Sequence, residues 1–154
     1  MVDEPDEISI PYMLLADSAE SVGGKLYILG GGWDRIMIPN LPSTSIKPFA
    51  LALGITVPYT HTNRKFAFTL ELIDADGAQI GDVLRFDLET GRPPGLKAGT
   101  AQTTPLAIGT NPHFPTAGRY TFVAQIDGQV RASVAMEVMP LQQLQMVPPS
   151  PESS

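Results

Sequence analysis

The chain has 154 residues, of which 43% are apolar and 17% are charged, and its net charge is −6. This length fits one domain, and a charged fraction below the usual value of roughly 25% excludes a disordered polyelectrolyte. The segment 8–139 carries eleven acids and ten bases, because the remaining acids lie in the two ends. This balance excludes the basic field of a sequence-independent nucleic-acid binder, and apolar runs far shorter than 18 residues exclude a transmembrane helix.

Nine short segments are predicted as strands from alternation of apolar and polar residues and from the turn residues between them. The clearest is Lys65–Leu72, in which Phe66, Phe68, Leu70 and Leu72 share one face. In chain order the segments are Ile8–Ala16, Lys25–Gly30, Trp33–Ile38, Pro48–Val57, Lys65–Leu72, Gln79–Leu88, Ala101–Gly109, Arg119–Ile126 and Val130–Val138. They predict an all-β fold, a single antiparallel β-sandwich of immunoglobulin-like or jelly-roll type.

The last hairpin allows a prediction of register. Ile126 and Val130 both belong to the apolar face of their strands. Since residues paired across a hairpin point to the same side, Ile126 should oppose Val130, which leaves a three-residue loop, 127–129.

The domain is expected to span residues 8–139, between an acidic tail (1–7) and a tail rich in Pro and Gln (140–154). Leu141, Leu144 and Met146 of the second tail are predicted to dock on the domain rather than on a partner. The first tail lacks the positively charged segment that opens a secretory signal, so we expect a cytoplasmic protein. The chain contains no cysteine, which excludes disulfides, thiolate zinc sites and cysteine nucleophiles.

The segments Leu14-Leu15-Ala16-Asp17-Ser18-Ala19-Glu20 and Gly24-Lys25-Leu26-Tyr27-Ile28-Leu29-Gly30-Gly31-Gly32-Trp33 resemble the opening of a known family. Its members are short bacterial proteins classed as a domain of unknown function, and the resemblance covers roughly residues 10–138. It implies a one-domain β-sandwich and assigns no functional residues. The stretch Pro115–Phe122 is similar to the last hairpin of many immunoglobulin-like domains, which bears on the fold alone.

Three motifs that suggest chemistry have simpler structural explanations. Gly30-Gly31-Gly32 precedes a strand rather than the helix that a phosphate loop requires, so we interpret it as a strand connection, with Trp33 as a core or rim anchor. Asp74 and Asp76 are weak metal candidates, because the later ligands of a calcium loop are missing and Asp-x-Asp-Gly is a good turn. His61 and His113 lack a clustered nucleophile or metal partner, so we predict no catalytic residue and no cofactor.

One strand has two faces without charge. In Phe49–Val57 the odd positions are large, whereas the even positions are Ala50, Ala52, Gly54 and Thr56. A solvated face would normally carry Lys, Glu or Arg, so we expect this small-residue face to be covered. Either the chain's own tail or a neighbouring loop covers it, or it is a subunit contact.

Counting strand crossings places the loops at alternate ends of the sandwich. Asp17–Gly24, Asn40–Lys47, Asp74–Gly77 and Thr110–Gly118 fall at a first, acidic end, and Gly30–Gly32, Thr60–Arg64, Thr90–Thr100 and Asp127–Gln129 fall at a second, basic end. The second end also has the longest loop, and long loops on rigid scaffolds often bind. We therefore predict a site for an anionic group of a small molecule or partner, formed by His61, Arg64, Arg92 and Lys97.

These observations favour a non-enzymatic binding or assembly module, with a protein partner or self-association, as a subunit of a homo-oligomer or a particle such as a phage. We expect no nucleic-acid or membrane partner. The alternative is a small hydrolase or ligand-transforming enzyme with its site at one end of the sandwich or between the sheets. An enzyme should have a deep pocket with a perturbed titratable group, whereas a module should have a flat patch.

Overall fold

The structure, a computed structural model, describes residues 6–140, and these residues form all nine predicted strands. A single 3₁₀ turn, Tyr59–His61, lies between the fourth and fifth strands. Most of the two predicted tails, including Leu141, Leu144 and Met146, lies outside the described residues. The strands are β1 (Ser9–Val22), β2 (Lys25–Gly31), β3 (Arg35–Ile38), β4 (Phe49–Val57), β5 (Lys65–Ile73), β6 (Gln79–Glu89), β7 (Gln102–Thr110), β8 (Gly118–Ile126) and β9 (Gln129–Pro140).

The strands form two sheets that pack face to face. The four-stranded sheet has the order β2-β1-β4-β7, and the five-stranded sheet has the order β3-β9-β8-β5-β6. All pairs are antiparallel except β3 with β9. Within residues 6–140 no helix is long and apolar enough to cross a membrane.

The order of the strands is immunoglobulin-like. One sheet has β1, β4 and β7 as neighbours and the other has β9, β8, β5 and β6, as in the A-B-E and G-F-C-C′ sheets of that fold. The Tyr120 hydroxyl, near the start of β8, donates a hydrogen bond of 2.7 Å to the Thr116 carbonyl oxygen. A tyrosine that bonds back to the preceding corner is typical of immunoglobulin-like domains, so the structure favours this fold over a jelly roll.

The core lies between the two inner faces, as the alternation predicts. Phe66, Phe68, Leu70 and Leu72 of β5 are buried there. They meet the large residues of the neighbouring strands: Phe49, Leu51, Leu53, Ile55, Val57, Tyr120, Phe122 and Ile126. Trp33 packs its ring edge-on against Phe49, with ring centroids 5.4 Å apart, which confirms its predicted role as an anchor at the rim of the core.

The register predicted for the last hairpin is wrong. Ile126 pairs with Gln129, so the turn has two residues, Asp127 and Gly128, both with positive φ. Such a turn matches the twist of the two strands better than a three-residue loop. The extra residue is accommodated further on by a β-bulge, because Gln125 pairs with Val130 and Ala124 with Ala132. Val130 is therefore 59% exposed rather than inward-facing.

The hairpin formed by residues 17–30 leaves its sheet and covers the outer face of that sheet. β1 pairs with β4 as far as Ala16 and with β2 beyond it. The far half of the hairpin reaches β7, although β4 lies between β1 and β7 in the sheet, and the Ser21 hydroxyl donates to the Pro105 carbonyl oxygen at 3.2 Å. The chain bends where Gly30, with φ of 62°, lies against Asp17; a Cβ at Gly30 would clash with the Asp17 carboxylate.

Candidate interaction surface

The small-residue face of β4 is covered, as the sequence predicts. Ala52 is 0% exposed, and Ala50 and Gly54 are buried. Gly54 lies under the ring of Tyr12, which would be 2.6 Å from a Cβ at this position. The cover therefore comes from the chain itself, through Tyr12 and the β1–β2 hairpin. Any subunit contact at Ala50, Ala52 and Gly54 would need the hairpin to move away, whereas Thr56 is half-buried and bonds the Thr103 hydroxyl at 2.7 Å.

One side of the hairpin is exposed and carries both apolar and polar side chains from its two strands. We call this side the hairpin surface. Register places Ser18, Glu20 and Val22 of β1 opposite Leu29, Tyr27 and Lys25 of β2. Leu29 is 71% exposed and Tyr27 is 57% exposed. Large apolar side chains this open to water are uncommon on a solvated strand, and aromatic residues among them are typical of protein interfaces.

An open groove of about 720 Å³ lies beside the hairpin surface, and we call it the Trp33 groove. It lies between Leu29 on the hairpin, the β3 residues Ile36 and Met37, and the loop before β4. Ile46 of that loop is 78% exposed, and Trp33 and Phe49 also line the groove. Its charged lining residues are Asp17, Arg35 and Lys47. Together the groove and the hairpin surface form a contiguous apolar region with a polar border.

This region was not predicted from the sequence, because the pattern that marks it is limited to three consecutive residues. Tyr27, Ile28 and Leu29 are all apolar, so the centre of β2 lacks charge on both faces, as β4 does. In β4 this pattern reflects burial on both sides. In β2 neither side is buried: Tyr27 and Leu29 are exposed on one side, and on the other Ile28 is 41% exposed and Leu26 is half-buried. Only the three-dimensional position of the hairpin separates these two cases.

Three of the four predicted anion-site residues come together at one end of the sandwich. The Arg92 guanidinium lies 3.8 Å from the centroid of the Tyr59 ring and donates to the Thr62 hydroxyl and, at 3.2 Å, to the Tyr59 carbonyl oxygen. Arg64 donates to the Thr60 carbonyl oxygen at 2.7 Å, and the Thr60 hydroxyl lies 3.1 Å from His61 Nδ1. Lys97 is exposed in the same loop as Arg92.

These hydrogen bonds give the two arginines a structural role. They tie the segment 59–62 to the strand ends and to the loop after β6, since the Asn63 amide also donates to the Thr90 carbonyl oxygen. Part of each guanidinium is therefore committed to the backbone, and an anion would meet only the remaining donors. The glycines Gly30–Gly32, by contrast, lie at the other end, because β2 returns to Ala16 and does not cross the sandwich.

Asp74 stabilises a turn between β5 and β6. Its Oδ1 accepts the backbone N–H groups of Asp76 and Ala78, both at 2.9 Å. This geometry explains the Asp-x-Asp-Gly sequence as turn chemistry. Among residues 6–140 there is no group of three His, Cys, Asp or Glu side chains placed to hold a metal ion.

Comparisons with known proteins place the chain in a family. No curated protein matches it. Among solved structures it is similar to the Pseudomonas fluorescens alkylpurine DNA glycosylase AlkC bound to DNA containing an abasic site analog, with a TM-score of 0.44 and 11% identity. That similarity covers 88% of this chain and 31% of the glycosylase. A family model described as a family of unknown function (DUF6941) matches residues 11–139, and the chain therefore belongs to that family.

Proposed function

We propose that the protein is a non-enzymatic binding or assembly module and that the hairpin surface and the Trp33 groove are its interface. The proposal is carried by one observation, the contiguous exposed apolar region that contains Tyr27, Leu29 and Ile46. A soluble monomer rarely leaves such a region open, and a polar border around an apolar centre is typical of protein interfaces. Cytoplasmic location is part of the proposal; the cysteine-free sequence agrees with it without fixing the compartment, because small exported domains often use disulfides.

Site-specific photo-crosslinking tests this function. A benzophenone side chain at Leu29 or Ile46 should give covalent protein adducts in cells that express the protein at its natural level. The matched control is the same side chain at Ser133, an exposed residue on the outer face of the other sheet. Equal adducts at all three positions, or none at Leu29 and Ile46, would contradict the proposal. Mass spectrometry of the adducts identifies the partner.

The basic end supports a second, narrower proposal, the binding of an anionic group. The supporting observation is that His61 and Arg64 lie between β4 and β5, and that Arg92, from the loop after β6, is hydrogen-bonded to Tyr59 and Thr62 of the same segment. Titration of the isotope-labelled protein with inorganic phosphate and with citrate should shift amide resonances of residues 59–64 and 90–97 in a saturable way. Arg64→Gln should abolish the shifts, whereas Arg119→Gln, an exposed arginine on β8, should leave them unchanged. Shifts that do not saturate would contradict anion binding.

A further inference from the structure

The four edge strands of the two sheets differ in how well they are protected from pairing with another chain. Within residues 6–140, β7 has Pro105 at its centre, which removes a backbone donor. β6 carries Asp82, Arg85, Asp87 and Glu89 and has an irregularity near Gly81, and β3 has only four residues. Proline, charge, bulges and short length are the features by which proteins prevent edge-to-edge association.

β2 has none of these features in its centre. Between Lys25 and Gly30 it presents Leu26, Tyr27, Ile28 and Leu29, without charge or proline. Its one hydrogen-bonded neighbour among the described strands is β1, so the other edge of its backbone is unpaired. An exposed strand edge with large apolar side chains is a template for the addition of a further strand.

The geometry points to a second copy of this chain as the added strand: we infer that two β2 strands pair antiparallel across a two-fold axis at Ile28, an inference that rests on the proposed interface. β2 spans Lys25–Gly31 and is therefore centred on Ile28. An axis at this residue pairs every residue of one β2 strand with one of the other, and it sets each Tyr27 opposite Leu29 of the second copy. An axis at Tyr27 or Leu29 would leave the ends of the strands unpaired.

Charge does not oppose this register. Lys25 falls opposite Gly31 of the second copy, and Gly31 is paired with Ala16, so Lys25 meets no side chain of like charge there. The same holds at both ends of the pair because of the two-fold symmetry. Glu20 pairs with Tyr27, whose new neighbour Leu29 pairs with Ser18, so no like charges oppose each other.

Disulfide trapping with the full chain tests the register directly, since the protein has no cysteine of its own. Opposite residues in an antiparallel pair have Cα atoms about 4.5–5.5 Å apart, which is within the range of a disulfide. A mixture of Tyr27→Cys and Leu29→Cys chains should form a crosslinked dimer rapidly under mild oxidation. Either variant alone should crosslink at least about tenfold more slowly, because like positions lie about two residues apart along the strands. Equal crosslinking in the mixture and in the single variants would overturn the register.

Substitutions that introduce like or opposite charges on β2 test the association itself, and sedimentation velocity measures it. The wild type should show a concentration-dependent monomer–dimer equilibrium. Tyr27→Lys/Leu29→Lys should raise the dissociation constant at least about tenfold, because lysines oppose lysines on both sides of the axis. An equimolar mixture with Tyr27→Glu/Leu29→Glu should restore the dimer. The control Val83→Lys/Val130→Lys changes two exposed valines away from β2 and should leave the dimer intact.

A monomeric wild type at all concentrations, or a dimer that the lysine pair does not weaken, would overturn the inference. The two proposals fail in different ways. Photo-crosslinking from Leu29 to a different protein, together with a monomeric wild type, would contradict self-pairing and leave the proposed interface in place.

Discussion

The two sheets of the sandwich present outer faces of opposite character. The outer face of the five-stranded sheet carries polar side chains, of which Lys65, Arg119 and Ser133 are exposed and Thr69, Glu71 and Gln125 are half-buried. The outer face of the four-stranded sheet contains Ala50, Ala52 and Gly54 of β4, which are buried, and Ala107 of β7, which is half-buried; Gly109, at the rim of this face, is exposed. The difference teaches that the charge-free outer side of β4 is a second buried face, covered by a further layer of the same chain.

The largest expected effect comes from placing a charge in the covered face. Ala52→Lys should lower the free energy of unfolding by about 3 kcal/mol or more, because the ammonium must either be buried or displace the hairpin. Ser133→Lys, on the open face of β9, should change it by less than about 0.5 kcal/mol. Urea denaturation of both variants measures the contrast. Similar values for the two would show that the faces do not differ.

Thiol labelling measures the same contrast without a charge. A cysteine at Ala52 should react at least about 100-fold more slowly than a cysteine at Ser133, since labelling requires the hairpin to open, at a free-energy cost of about 2.7 kcal/mol. Far-ultraviolet circular dichroism confirms that both variants are folded. Fast labelling of a folded Ala52→Cys protein would show that the hairpin does not exclude solvent.

Two glycines on the same side of the four-stranded sheet sharpen the comparison, because Gly54 is buried under a side chain whereas Gly109 is exposed. Gly54→Ala should cost about 1–2 kcal/mol of stability, since the new methyl group meets the Tyr12 ring. Gly109→Ala has nothing within 4 Å and should be neutral or slightly stabilising. In a Tyr12→Ala background the cost at Gly54 should disappear. A cost that persists there would assign the effect to the backbone.

The smallest effect is expected on the outward side of the hairpin. Leu29→Ser should change the stability of the monomer by less than about 0.5 kcal/mol, because the side chain is mostly in solvent. The measurement is thermal unfolding at a concentration at which the chain is monomeric. A loss above about 1 kcal/mol would mean that Leu29 belongs to the folded core of the single chain.

The strands and the core could be predicted from the sequence because they depend on local alternation. Phe66, Phe68, Leu70 and Leu72 follow period two without exception, and the structure buries all four. The register of the last hairpin could not be predicted, because a bulge shifts the pairing by one residue without leaving a mark in the alternation before it. The prediction of register from alternation assumes that neither strand contains an extra, unpaired residue.

The proposed interface could be predicted from the sequence only in part, for a different physical reason. The small size of Ala50, Ala52 and Gly54 predicts that another segment covers this face, but it does not predict which segment. The sequence around Tyr27 and Leu29 predicts an ordinary strand; that these side chains are exposed becomes clear only from the bend at Gly30. That bend depends on a positive φ, which many glycines of this chain share, so it does not stand out in the sequence.

The two ends of the hairpin join the sandwich at neighbouring points of the backbone. Ala16 lies opposite Gly31, and the Gly32 amide donates to the Leu15 carbonyl oxygen at 2.8 Å. The intervening segment is therefore an insertion at the point where the chain passes from one sheet to the other. Because its ends are already together, the entropy of closing it depends only weakly on its length. The fold therefore tolerates a longer or shorter hairpin at this point without any change in strand order, provided that residues 50, 52 and 54 stay covered.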